Sequence, residues 1–376
     1  MEVDQYAYVY SDPSESESKT GLETSSPTSV KEFEVPDIPD RVYIDAVKER
    51  RLVRRIDTRM ILLASLVYLL CFLNRTNIGN AKVLNSDVGD SLQQSTHLTD
   101  LQYRTILVLS DLAYSIFEVP SNYLLKKLAP SRWISTIMIG WGLMAMLVSA
   151  SHNFAGLAIL RFLLGVFEGG LFPGLIYCLT FWYKPNERAL RTAAISATAT
   201  LGGAFGGAIA YAVGHMNRVH GLEAWRWLFI LEGLPSCLCA LLVFAYFPDF
   251  PETDKWLSPE ERTLAIARIK DVSSLGHAKI IWADARATLL DWRLYLHYIM
   301  FVTICVPFSS ISLFAPTIVE GLGYEGLDAQ LFTVPPYAFA FFATMLCAWV
   351  TDKYECRSWG VMSMLAISGI AFLLQG

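Results

Sequence analysis

Long apolar runs separated by short polar stretches dominate the chain from residue 60 onward. Crossing roughly 30 Å of hydrocarbon takes about 20 mostly apolar residues. Windows of that kind fall at 60–80, 104–125, 132–151, 154–181, 191–214, 225–247, 295–320, 329–350 and 359–376, and each predicts a membrane-spanning helix. The longest internal break, about 248–294, parts six spans from three. Within it, Ser258, Pro259 and Glu261 have the spacing of a capping box with proline at the first helical position. Leu264, Ile266, Ala267 and Ile269 add a partial apolar stripe. A short helix lying along the membrane surface is expected there.

Composition agrees with a membrane protein. The chain is 53% apolar and 17% charged, with a mean hydropathy of +0.38, which excludes an ordinary soluble globule. The net charge of −5 is a sum of separated blocks. Residues 1–47 hold eleven Asp or Glu against three Lys or Arg and no large apolar run, so they are expected to be disordered. The basic stretch "KERRLVRR" follows at 48–55. The expected organisation is therefore a disordered acidic then basic cytoplasmic tail at 1–55, a six-helix bundle at 56–248, a cytoplasmic linker at 249–294 and a partial second bundle at 295–376.

Lys and Arg in short loops set orientation. "KERRLVRR", "KKLAPSR" (126–132), "KPNERALR" (184–191) and "DKYECR" (352–357) fall on one side, which predicts a cytoplasmic N-terminus in a multi-pass protein. The seven cysteines lie in spans or in a loop on that side, with no CxxC and no His/Cys cluster, so neither a disulfide framework nor a metal site is expected. Neither "GLGYEG" nor "LGGAFGGA" has the make-up of a phosphate loop, so no cofactor is expected. No Ser/His/Asp set suggests an enzyme, and nothing beyond the basic blocks suggests nucleic-acid binding.

Charge inside the spans is the most informative departure from the apolar pattern. "FLNRTNIGNA" (72–81) places Arg75 about sixteen residues into the first span. An arginine at helix centre costs roughly 2.5–3.5 kcal/mol and normally faces a partner or a water-filled cavity. Snorkelling to the headgroups is the alternative, but four polar residues in succession suit a cavity wall better. In the fourth span Arg161 and Glu168 are seven residues apart and share a helix face. In the second span Asp111, Tyr114, Ser115 and Glu118 form another polar set. Glu118, just before Pro120, suits a gating contact near the cytoplasmic end, and Arg132 of "KKLAPSR" is placed with it. Four-residue glycine spacings in "GGAFGGA" (202–208) allow close helix approach, and Gly165, Gly169, Gly170 and Gly174 beside Pro173 allow the fourth span to bend.

"LKKLAPSRW" after the second span is echoed by "VTDKYECRSWG" after the eighth, as two parallel halves would require. Together with "YSIFEVPSNYLLKKLAPSRWI", "RFLLGVFEGGLFPGLIYCLTFWYKPNERALR", "WRWLFILEGLPS" and "YFPDFPETDKWLSPEE", these stretches resemble the major facilitator superfamily. Within it they resemble the fungal allantoate permease-like branch of the anion:cation symporters. The implied fold is an all-α integral membrane bundle, six helices followed by an incomplete, about three-helix, second bundle, where the family usually has twelve spans.

The resemblance implies proton-coupled uptake of a small organic anion, a carboxylate such as allantoate, nicotinate or pantothenate, across the plasma membrane. Arg75, with Asn74, Asn77 and Tyr114, would bind the substrate, while Glu168, beside Arg161, would carry the proton. Asn74 departs from the family's usual Asp at that place, and an amide cannot exchange a proton near neutral pH. A structural ion pair remains the alternative role for Glu168. The alternative function is a truncated, non-transporting membrane receptor or interaction protein.

Overall fold

The computed structural model describes residues 45–269, 282–324, 326–354 and 356–375. The expected disorder of residues 1–44 and the middle of the linker, 270–281, lie outside them. Among the described residues the fold is entirely helical.

The first helix, α1 (Ala46–Ile56), occupies residues assigned above to the tail. Asp45 caps it by accepting from the Val47 N–H at 2.8 Å, and Leu52 and Ile56 are buried. The basic run is thus an amphipathic helix, because its apolar positions return every four residues onto one packed face. A single π-turn, Asp57–Ile61, joins it to α2 (Leu62–Val83). After α2 the chain reverses through Asn85 in the left-handed region and a four-residue turn, α3 (Leu92–Ser95), and enters α4 (Asp100–Lys127). Thr99 and Gln102 form a reciprocal capping box at its start.

The chain then continues through α5 (Pro130–Val148), α6 (Phe154–Glu168), α7 (Leu171–Trp182), α8 (Pro185–Gly214) and α9 (Ala224–Tyr246). The linker helix is α10 (Pro259–Ala267), followed by α11 (Trp282–Leu290), α12 (Trp292–Gly321), α13 (Gly326–Leu331), α14 (Val334–Lys353) and α15 (Arg357–Gln375).

Seven stretches among the described residues are long and apolar enough to cross a membrane. The helix at the second expected span, α4, has 28 residues but carries Asp111, Ser115 and Glu118 in its middle, which lowers its hydropathy. At the ninth, the apolar part of α15 is the shorter Ser358–Leu373. The fourth expected span, 154–181, is broken rather than bent: α6 ends at Glu168, Gly170 takes φ 84°, and α7 restarts at Leu171. A left-handed residue at that point is readily adopted only without a Cβ.

Glycines set how closely the helices approach, since apolar packing in lipid depends on fit rather than on expelling water. A Cβ on Gly165 would strike the Ser110 carbonyl of α4, and one on Gly233 of α9 would lie 2.8 Å from the Gly142 carbonyl of α5. The two glycine pairs of α8 serve opposite neighbours. Gly202 and Gly206 face Phe72 and Asn80 of α2, whereas Gly203 and Gly207 face Tyr337 of α14 and Thr333 and Gln330 just before it.

Helix α8 is therefore the joint between the two bundles, with α2 and α12 forming a second seam. There a Cβ on Gly79 would strike the Leu313 carbonyl, and the Phe72 and Phe308 ring centres are 6.0 Å apart. The seams close toward the C-terminal ends of α2 and α8. At that end Gln330 donates to the Asn80 carbonyl at 3.1 Å, and Ser86 donates to Glu320 at 3.1 Å.

Polar contacts organise the opposite end. The Asp57 carboxylate accepts two hydrogen bonds from Arg191, at 2.7 and 2.9 Å, and one from the Tyr183 hydroxyl at 2.8 Å. Ser258 and Glu261 cap α10 reciprocally, as their spacing predicts. Just beyond α10, the fully buried side chain of Arg268 reaches Glu49 of α1 at 3.0 Å, the Trp182 carbonyl at 3.0 Å and Glu187 of α8 at 2.6 and 2.8 Å.

Candidate functional site

Successive residues of α2 point to different neighbours, because each step along a helix turns by about 100°. Arg75 faces α4, where its Nη2 donates to Asp111 Oδ1 at 2.8 Å and its guanidinium lies 5.0 Å from the centre of the Tyr114 ring. The two charged side chains keep 37% and 49% of their exposure, so they line open space rather than a sealed core. Tyr68 and Cys71, on the same side of α2, and Cys305 of α12 lie within electrostatic reach of Arg75.

Glu168 and Arg161 are each 2% exposed. Seven residues of helix separate them by about 10 Å along the axis, and among the described residues neither makes an ion pair within 4.0 Å. Arg161 lies 5.1 Å from the centre of the Phe229 ring, with its Nε and Nη2 unpaired. Glu168 occupies the last position of α6, where the helix breaks, and its Oε1 is unpaired. It lies within electrostatic reach of Arg75, Arg161 and Asp111. Glu168 and Arg161 thus lie within electrostatic reach of one another without a hydrogen-bonded ion pair among the described residues.

Asn74 and Asn77, expected beside Arg75, face elsewhere. Both are 0% exposed and turned toward α9. Asn74 Nδ2 donates to Ser236 Oγ at 2.9 Å and to the carbonyls of Leu70 and Glu232 at 2.8 and 3.3 Å. The Asn77 side chain approaches the Glu232 carboxylate. The four-residue polar run is therefore divided between a cavity wall and a helix seam. Glu118 is half-buried on α4 against the α6–α7 break, where a Cβ on Gly169 would lie 3.4 Å from its backbone nitrogen. Arg132 is exposed at the start of α5, and among the described residues no ion pair joins the two.

Two relationships were not read from the sequence. The Arg75–Asp111 pair joins residues whose polarity was noted but whose partnership was not. Glu232 was passed over inside "WRWLFILEGLPS", although an acid in the middle of an apolar span was itself the signal.

A multi-pass helical bundle with a charged cluster in its interior, joined by glycine seams to a second set of helices, has the build of a membrane transport protein. The sequence pattern of the Major Facilitator Superfamily matches residues 64–374, and the chain belongs to that family. It is 53% identical to MFS transporter prlL of Fungal sp. (strain NRRL 50135), over 88% of this chain and 67% of that protein. It is 32% identical to MFS-type transporter cnsO of Penicillium expansum, over 92% of this chain and 67% of that protein. A protein of Agrobacterium vitis that bears the name of a tartrate transporter is 32% identical over 86% of this chain and 71% of its own length. The chain thus spans about two thirds of the length of the relatives it matches.

The fold is similar to that of a bacterial homolog of the human lysosomal transporter Spinster, solved inward-facing and unoccupied, with a TM-score of 0.57 and 22% identity over 80% of this chain and 64% of that one. It is also similar to the E. coli xylose transporter XylE in a partially occluded inward-open conformation, with a TM-score of 0.56 and 15% identity over 80% of this chain and 72% of that one.

Proposed function

We propose that the chain carries the substrate and coupling groups of a secondary transporter that takes up a small organic anion together with protons. The observation that carries this reading is the placement of Arg75. Its guanidinium is paired to one half-exposed carboxylate, backed by the Tyr114 ring and open to the space beside α12. A planar fork of donors suits a carboxylate, and an exposed ion pair is weak enough for an incoming anion to displace Asp111. Tyr114 then flanks the bound anion. Asn74 and Asn77 support this wall from behind rather than touching the substrate.

Glu168 is the proton carrier in this reading. It is buried at a helix break, within electrostatic reach of both Arg75 and Arg161, and its Oε1 is unpaired. Binding an anion at Arg75 changes the charge that Glu168 experiences, which is the physical link that coupling needs. Alternating access follows from sliding along the α2/α12 and α8/α14 seams, with Glu118 and Arg132 acting at the gate. The experiment is uptake of a panel of labelled carboxylates by cells expressing the chain, at acidic and neutral external pH. Both the 376-residue form and a form extended by a donor three-helix unit are compared. Acid-stimulated uptake by either form supports the reading; neutral substrates carried without pH dependence overturn it. Uptake by neither form, with both present in the membrane, favours the receptor alternative.

A further inference from the structure

A buried polar cluster lies across α2 from Arg75. It is formed by Asn74 and Asn77 of α2 and by Glu232 and Ser236 of α9, none more than 3% exposed. Four oxygens in it have no hydrogen-bond partner: Asn74 Oδ1, Asn77 Oδ1 and both carboxylate oxygens of Glu232. The one unpaired donor is Asn77 Nδ2, which lies beside the carboxylate. The Asn74 amide cannot be reversed to correct the imbalance, because its Nδ2 faces the Leu70 and Glu232 carbonyls, which can only accept.

Two nearby cations are committed elsewhere, and a third, Arg161, whose Nε and Nη2 are unpaired, lies over the Phe229 ring one turn before Glu232 without an ion pair to it among the described residues. Arg75 leaves on the α4 side to Asp111, and Arg226, earlier on α9, is held by Glu223 and by the Ser149 and Ser151 carbonyls. Among the described residues no cation pairs with Glu232. Buried polar atoms are nearly always paired, and a lone buried carboxylate is among the most costly groups to leave so. With Glu232 ionised, the surplus is of oxygens and the formal charge is one. That composition fits a small monovalent metal cation better than an anion, a divalent ion or an apolar ligand.

We propose that the Asn74–Asn77–Glu232 pocket between α2 and α9 binds a sodium-sized monovalent cation. Glu232 supplies the compensating charge, and the two amide oxygens supply neutral ligands. Because Asn74 immediately precedes Arg75, occupancy of this pocket fixes the turn of α2 that carries the anion-facing guanidinium. A bound cation would thereby favour the binding-competent arrangement of α2 without touching the substrate.

The test needs no transport and is independent of which anion is carried. The purified full chain in detergent is melted in NaCl, KCl and choline chloride at equal ionic strength. Sodium binding is expected to raise Tm by about 5 °C over choline, saturably, with a smaller effect of potassium. Glu232→Gln, which keeps the side chain's size, is expected to remove the sodium-dependent part while retaining a cooperative melt in choline. Asn77→Ala is expected to raise the sodium concentration for half effect at least tenfold, and it decides the matter if Glu232→Gln does not fold. Equal Tm in all three salts would mean that the pocket binds no metal ion and would overturn the proposal, as would a sodium shift that survives in both variants. A sodium shift without carboxylate uptake would leave this site standing and remove the transport reading.

Discussion

Arg75 and Asp111, 36 residues apart in sequence, form an ion pair of 2.8 Å in which both side chains remain partly open to solvent. An exposed pair of this kind contributes up to about 1 kcal/mol. If the substrate carboxylate replaces Asp111 on Arg75, that energy opposes binding. Asp111→Asn is therefore expected to lower the apparent KM for the anion by up to about fivefold. Arg75→Lys replaces a fork by a point charge and is expected to raise the apparent KM at least tenfold with membrane abundance unchanged. Concentration-dependent uptake, normalised to surface protein, reads both; unchanged KM in Arg75→Lys would remove Arg75 from the site.

Glu168→Gln keeps the shape of the α6 end but cannot take up a proton. It is expected to abolish accumulation driven by an acid-outside gradient while sparing exchange of labelled for unlabelled substrate. Accumulation retained against a gradient would assign coupling to another group.

The α2/α12 seam has no room for a side chain at Gly79, whose Cβ would collide with the Leu313 backbone carbonyl. Gly79→Ala is expected to hold the two bundles apart at that end and to reduce turnover at least tenfold at normal abundance. Spin labels at Ser86 and Glu320, which hydrogen-bond at 3.1 Å, are expected to report a longer distance in the variant. Wild-type distance and turnover together would show that the seam yields without cost.

Arg268 is fully buried between Glu49 and Glu187, which retain 21% and 25% exposure. Removing it leaves Glu187 without the Arg268 guanidinium and Glu49 with Lys184 alone, at 2.7 Å, so Arg268→Ala is expected to cost about 3 kcal/mol. Arg268→Lys is expected to recover part of this, since it keeps the charge but cannot reach both acids and the Trp182 carbonyl together. Thermal melts of the three proteins in one detergent decide it.

A pH effect is expected at the loop contact between Asp90 and Arg218. Hydrogen bonds from Arg218, at 2.7 and 3.0 Å, and from Asn217, at 2.8 Å, hold the Asp90 carboxyl below the usual carboxylate range. Its folded value is thus depressed relative to the unfolded one. The stabilisation is present above roughly pH 4 and is lost as pH falls through the lower folded value. The Tm difference between wild type and Asp90→Asn is expected at pH 7 and to shrink toward zero in acid. A difference that grows in acid would contradict the assignment.

Local signals made several elements legible without any tertiary information. The capping box at Ser258 lies within four residues of sequence, and it forms. The apolar runs announce spans by length alone, because no tertiary context is needed to make twenty apolar residues prefer lipid. The helical course of residues 46–55 was missed for a related reason: a charged amphipathic helix resembles a solvated tail until the surface it packs on is known.

The sequence by itself therefore determined the membrane class, the family resemblance, and the presence of Arg75, Asp111, Arg161 and Glu168 within apolar surroundings. Only the tertiary structure decided what each of them meets. Asn74 and Arg75 are neighbours in the chain, yet one bonds to Ser236, 162 residues away, and the other to Asp111. Periodicity specifies that consecutive helix residues diverge by about 100°, but not which neighbouring helix lies in each direction. Glycine contacts along α2, α6, α8 and α9 settle that arrangement. Such contacts depend on the shapes of two surfaces at once, and no single segment carries both.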